Sequence, residues 1–224
     1  MRSEQPSLFP GMTGPSPAPP AYAPFLPGVR AEESFLELRD LASLQQVMRE
    51  CRRCGLRSGC RQMVFADGDP QASLMLVGEG PGQTEDELGL PFVGRAGQLL
   101  NQILAAIALR REEVYITNVV KCRPPGNRLP TPAEVLACRG CLEAQIRLVR
   151  PRIIVCLGLL ATRTVLDPRA TMGAARGQWT TRQGIQVIAT YHPAALLRNP
   201  QYKRPAWNDF KSVRARLEEA AHGN

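Results

Sequence analysis

Ser73-Leu74-Met75-Leu76-Val77-Gly78-Glu79-Gly80-Pro81-Gly82 is the stretch on which the fold turns. Its first half is a short, mostly apolar run closed by glycines, the mark of a strand buried on both faces. Three similar runs follow, at residues 114–120, 153–157 and 185–191. Helical periodicity separates them. Residues 94–108 place Leu99, Leu100, Ile103, Leu104 and Ile107 on one side. A second helix announces itself with Thr131 as cap, Pro132 at the first helical position and Glu134 at the third, and a last helix covers 207–221. Strands alternating with helices require right-handed crossovers and a mainly parallel sheet covered on both faces. The expected fold is α/β: a three-layer α/β/α domain around a mainly parallel four-stranded sheet, without internal repeats.

The length, 224 residues, suits one domain. Residues 5–30 carry eight prolines; such a stretch buries too little apolar surface to repay its ordering entropy. Residues 1–33 are therefore expected to be a disordered arm and 34–224 the folded domain. That domain is expected to open with a helix burying Phe35, Leu38, Leu41, Leu44 and Val47. The formal charge is +8, but residues 1–40 sum to −2 and the remainder to +10. A basic domain suits a polyanion such as nucleic acid, and it equally suits simple solubility. No apolar run reaches the roughly 18 residues of a membrane span and no secretion signal is evident, so a cytoplasmic protein is expected.

In open α/β sheets ligands bind beyond the carboxyl ends of the strands. Three polar clusters fall there. Gly78-Glu79-Gly80-Pro81-Gly82-Gln83-Thr84-Glu85-Asp86 follows the first strand and continues to Pro91-Phe92-Val93-Gly94. Thr117-Asn118 closes the second, and Tyr191-His192-Pro193-Ala194-Ala195-Leu196-Leu197-Arg198 follows the last. The glycine-rich turn lacks the Lys-Ser/Thr ending of a P-loop and the spacing of a dinucleotide fingerprint. Taken alone it reads as a tight turn, and a lone histidine reads as structural.

Taken together, these clusters and Lys121-Cys122-Arg123-Pro124-Pro125-Gly126-Asn127-Arg128 resemble the family 4 (iron–sulfur) uracil-DNA glycosylases over roughly residues 45–218. The resemblance implies a monofunctional enzyme that flips uracil out of DNA and hydrolyses its N-glycosidic bond, found with the nucleoid. Phe92 would stack on the base, Asn118 would read its Watson–Crick edge, Glu85 would crowd out the methyl of thymine, and His192 would donate to uracil O2. Gly80 would lie along the base, its turn assisting as an oxyanion hole does. Leu196 or Leu197 would wedge into the duplex and Arg198 would touch phosphate. The best-known uracil glycosylase family carries an Asp in the first loop, where this chain has Gly80; Glu79 or Glu85 would share that Asp's work. A relative that forms a covalent adduct through a histidine in the loop after Asn118 has no counterpart here, since residues 121–131 contain none.

The seven cysteines are odd in number and include two C-x-x-C pairs, which favours metal ligation over disulfides. By resemblance, Cys51, Cys54, Cys122 and Cys138 would hold a [4Fe–4S] cluster of structural role. Spacing alone equally permits zinc on Cys51, Cys54, Cys138 and Cys141. Cys156 reads as packed in a strand. In the arm, Gln5-Pro6-Ser7-Leu8-Phe9 resembles the pentapeptide with which bacterial repair proteins dock on the sliding clamp; chance in a biased tail is the plain alternative. A monomer is expected. Two other functions stay open: a non-catalytic iron–sulfur DNA-binding or redox module, and a zinc-stabilised structural protein.

Overall fold

The structure, a computed structural model, describes residues 23–30 and 35–222. In chain order the elements are α1 (Leu41–Arg49), α2 (Leu56–Gly59), β1 (Asp67–Gly68), β2 (Leu74–Gly78), α3 (Gln83–Leu88), α4 (Arg95–Ala106) and β3 (Tyr115–Asn118). After them come α5 (Pro132–Val149), β4 (Ile153–Leu157), α6 (Leu159–Val165), α7 (Met172–Ala175), β5 (Trp179–Arg182), β6 (Ile185–Thr190), α8 (Pro193–Arg198) and α9 (Lys203–His222).

The strands form one sheet in the order β1-β3-β2-β4-β6-β5. Its parallel centre, β3-β2-β4-β6, is the expected four-stranded sheet. The two antiparallel edge strands are additions to that expectation. β1 is only two residues long. β5 pairs back onto β6 through Gln183-Gly184, whose φ values of 49° and 78° make the two-residue turn that closes a tight hairpin.

Alternation along the strands divides the core. Met75, Val77, Tyr115, Ile154, Cys156, Val187 and Ala189 pack with Leu142 and Ile146 of α5 and Ala161 and Val165 of α6. Leu74, Leu76, Ile116, Ile153, Val155 and Ile188 pack with Leu100 and Leu104 of α4 and Phe210 and Val213 of α9. The chain moves one way from β2 to β3 and returns the other way from β3 to β4. Right-handed crossovers therefore place α4 and α5 on opposite faces, and a crevice opens where the direction reverses. Register brings Gly78 opposite Asn118 and Leu157 opposite Thr190 at the mouth of that crevice.

Two expectations about the N-terminal part need correction. The first helix begins at Leu41, capped by Asp40, whose carboxylate accepts from the Ser43 N–H at 2.7 Å. It buries Leu44 and Met48, while Val47 is exposed; Phe35 at φ 50° lies outside it. The second concerns the arm. Residues 23–30 join the fold: Phe25, Leu26 and Val29 are buried, and the Phe25 and Leu26 amides each donate at 2.7 Å to the buried Glu143 carboxylate. Charge-assisted hydrogen bonds to a carboxylate outweigh the poor core-forming composition of this segment. The Gln5–Phe9 motif lies outside the described residues.

Candidate active site

The crevice holds a cavity of about 550 Å³. Glu79, Gly80, Glu85, Phe92, Asn118, His192 and Arg198, all singled out from sequence, line it. They come from the carboxyl ends of β2, β3 and β6 and from the loops and short helices, α3 and α8, that follow.

Close packing sets the floor. A Cβ on Gly78 would lie 2.3 Å from Asn118 Oδ1 and 2.5 Å from the Phe92 ring, and one on Gly97 would lie 1.9 Å from the Phe92 carbonyl oxygen. Both positions require glycine. Phe92 itself sits at φ 52°, in the left-handed region. Arg111 secures it by donating to the Pro91 and Phe92 carbonyls while pairing with Asp67 at 2.6 Å. The Phe92 and His192 rings stack with centroids 5.5 Å apart and planes 29° apart.

His192 caps α8 with its own ring, Nδ1 accepting from the Ala194 N–H at 3.1 Å. In a neutral imidazole the proton must then reside on Nε2, leaving a single donor. Burial, helped by the charge of Arg198, pulls its pKa down to about 4. Asn118 is buried, and its Oδ1 has no hydrogen-bond partner among the described residues. Its backbone carbonyl accepts from the buried Lys121 ammonium, which also donates to Thr117 Oγ1 at 2.8 Å.

The two carboxylates are anchored differently. Glu79 Oε1 accepts from the Leu160 N–H at 3.1 Å, at the start of α6. Burial raises its pKa, against the Leu160 N–H and the Arg198 charge. Glu85 Oε1 accepts from Val93 and Gly94 N–H groups at 2.9 and 2.8 Å. It braces the loop that carries Phe92, a positioning role that sequence reading did not foresee. Gly80 is glycine because a Cβ there would meet Val120 Cγ2 at 2.9 Å.

A model of the uracil DNA glycosylase superfamily matches residues 65–211. The chain belongs to that superfamily. It is 43% identical over 186 residues to a type-4 uracil-DNA glycosylase of Archaeoglobus fulgidus, an alignment covering 77% of this chain and 92% of the relative. The type-4 uracil-DNA glycosylase of Thermotoga maritima is 44% identical over 167 residues, covering 73% and 85%. A type-5 uracil-DNA glycosylase of Pyrobaculum aerophilum is 35% identical over 173 residues, covering 70% and 76%. The higher identities put the chain with the type-4 members of the superfamily.

Beside this glycosylase pocket the structure corrects one residue and adds others. Leu196 is buried, so it has no free side chain to offer DNA, whereas Leu197 and Arg198 are exposed. The short α8 turns Leu196 toward the core and its neighbours outward. Pro124, Asn127, Arg128, Leu129 and Pro130 also line the cavity. Their signal in the sequence was a proline-bracketed loop at the end of β3, a position where sheet ligands bind.

Cys51, Cys54, Cys122 and Cys138 line one small cavity together with Leu56, Met63 and Val120. Arg53, Arg57 and Lys121 line it too, and four thiols from three chain segments beside basic groups suit an anionic iron–sulfur cluster by the chemistry of the donor set. Cys141 packs with Phe35, Leu44, Met48, Phe65 and Ala144 and does not line that small cavity. Burial raises the Cys122 and Cys138 thiols, so a metal's positive charge would be needed to ionise them. Among the described residues no helix is long and apolar enough to cross a membrane.

The depressed His192 pKa has a sign that can be checked. As pH falls from 6.5 toward about 4, the unfolded chain takes up a proton that folded His192 refuses, so stability declines across that window. Long-range ¹H–¹⁵N spectra should show a neutral ring protonated at Nε2 at pH 6. A ring carrying protons on both nitrogens there would overturn the assignment.

Proposed function

We propose that this chain is a monofunctional, monomeric uracil-DNA glycosylase that starts base-excision repair. The observation that carries the reading is Asn118 Oδ1: a buried acceptor without a partner among the described residues, on the wall of a cavity that Phe92 and His192 also line. Leaving such an acceptor unpaired costs about 1–3 kcal/mol, which a bound donor would recover. Uracil offers one at N3–H, with O4 beside it for the Asn118 amide. Cytosine presents an acceptor at N3 and donors at N4, the reverse order.

A base inside a duplex is unreachable, so the nucleotide is extruded. Phe92 stacks on it, and Glu85, near C5, leaves no space for the methyl of thymine. As the C1′–N1 bond breaks, negative charge grows on the base and positive charge on the sugar. The His192 Nε2–H points its dipole at O2, and the Gly80 turn adds backbone N–H groups. A neutral donor strengthens its hydrogen bond as charge develops, which lowers the barrier. Glu79, held by the Leu160 N–H, orients the water that adds at C1′ and supports the sugar cation. Uracil and an abasic site result. Leu197 fills the vacated position, and Arg198 contacts phosphate. A non-catalytic binding or redox module would have no use for this donor- and acceptor-lined cavity.

Cys51, Cys54, Cys122 and Cys138 would hold a [4Fe–4S] cluster. Held there, a cluster would tie the segment after α1 to Cys122, beyond β3, and to Cys138 in α5. The arm's Gln5–Phe9 would dock on a bacterial sliding clamp through Leu8 and Phe9.

An oligonucleotide carrying one uracil, treated with alkali after incubation, should be cut at uracil and not at thymine. Asn118→Ala and His192→Ala should each slow cutting by about 10²–10³-fold; full activity in both would sink the pocket assignment. The cluster is tested separately. Holoprotein should be brown with iron and acid-labile sulfide, and Cys51→Ala should lose cluster and melting temperature together. An unchanged melting temperature after cluster loss would contradict the stapling role. For the clamp, Leu8→Ala with Phe9→Ala should abolish binding to purified clamp; equal affinity of both forms would end that proposal.

A further inference from the structure

Leu129 is the most exposed large apolar side chain among the described residues, at 66%, and it also lines the base cavity. A single exposed leucine is ordinary. A rigidly held one at the rim of a substrate pocket is less so, because a flexible loop would fold it away from water at little cost.

The loop that carries it is stiff. Pro124 and Pro130 lie against the Gly80 turn, each 3.8 Å from where a Gly80 Cβ would be. Arg128 forms a bidentate pair with Glu134 at 2.7 and 2.8 Å. Glu134 in turn accepts from the Thr131 N–H at 2.7 Å in the capping box of α5. Arg123 donates to Asn127 Oδ1 at 2.7 Å. Both arms of the loop are thus tied down, and Leu129 projects between Arg128, committed to Glu134, and Pro130.

We propose that Leu129 is a second apolar contact for duplex DNA, packing on the base stack beside the extruded nucleotide. The topology separates the two leucines. Leu129 follows β3 and Leu197 follows β6, and β2 and β4 lie between those strands. Leu197 takes the vacated position, and Leu129 bears on the stack to one side, where an apolar tip on a rigid base offsets the cost of unstacking a step. The inference rests on the glycosylase reading and adds a duplex-specific function to a loop that touches the cavity.

The test compares Leu129→Ala, Leu129→Met and Leu197→Ala with the unsubstituted chain on one uracil oligonucleotide, single-stranded and as a duplex. Inhibition by free uracil, which needs the cavity alone, and melting temperature are followed alongside. Leu129→Ala should lower kcat/KM on duplex about tenfold, with Leu129→Met restoring most of it. Single-strand activity and uracil inhibition should fall by less than duplex activity does, and melting should be unchanged. Equal losses on both substrates would confine Leu129 to its place in the cavity lining and overturn the proposal. Unchanged duplex activity would do so as well. An unsubstituted chain inactive on both substrates would instead strike at the glycosylase reading itself, so the two failures are distinguishable.

Discussion

With a Cβ on Gly78 destined to lie 2.3 Å from Asn118 Oδ1 and 2.5 Å from the Phe92 ring, the last residue of β2 has to be bare backbone. Sheet register then does the rest. Gly78 pairs with Asn118, so the Asn118 amide lies across that backbone, the Phe92 ring covers it, and the His192 ring stacks on Phe92. Removing this one contact would displace all three groups at once. The arrangement also carries strain, since Phe92 holds a left-handed backbone that costs a phenylalanine on the order of 1 kcal/mol or more. Arg111, with Asp67 behind it and the Pro91 and Phe92 carbonyls in front, and Glu85, on the Val93 and Gly94 amides, hold that conformation in place from two sides.

Charge is managed by the same economy of groups. A protonated His192 would repel the nearby Arg198 and lose the Nδ1 acceptor that caps α8, so burial, capping and charge all favour the neutral ring. Glu79 experiences opposing influences: burial favours the neutral acid, while the Leu160 N–H and Arg198 favour the anion. A carboxyl poised between the two can respond to a cation developing on the sugar, whereas one locked in a salt bridge could not.

The parallel centre of the sheet was legible because four apolar runs and intervening helical periodicity have few other solutions. The edge strands were not. β1 has two residues, too few for any pattern, and β5 reads Trp-Thr-Thr-Arg with a single large apolar residue. Phe92, Asn118 and His192 were legible as a joint pattern, since each stands at a strand or loop end. The tasks of Glu85 and Arg111 were not, because both act through backbone groups brought near by the tertiary fold. The choice between Leu196 and Leu197 also needed the structure: adjacent leucines in a single turn of helix are equivalent in sequence, and only the packing of α8 decides which faces water. The anchoring of residues 23–30 depended on Glu143, more than a hundred residues away in the chain, which no local composition reveals.

The exit of β3 ties these parts into one device. Asn118 lies on the cavity wall; three residues on, Lys121 reaches back to the Asn118 carbonyl and to Thr117; Cys122 follows, and then the proline-bracketed rim with Leu129. Backbone bonds from Val119 to Gly78 at 2.9 Å and from Val120 to Glu79 at 3.2 Å keep this exit paired with the glycine turn beyond the end of the strand. The Asn118 amide, the buried Lys121 side chain, a cysteine of the four-thiol cavity and the rim of the pocket therefore follow one another on one segment. Any looseness at Cys122 reaches Asn118 through Lys121 and reaches Leu129 through Pro124. A staple at the cysteines would act on the chemistry by this mechanical route, with no need for the metal to approach the base.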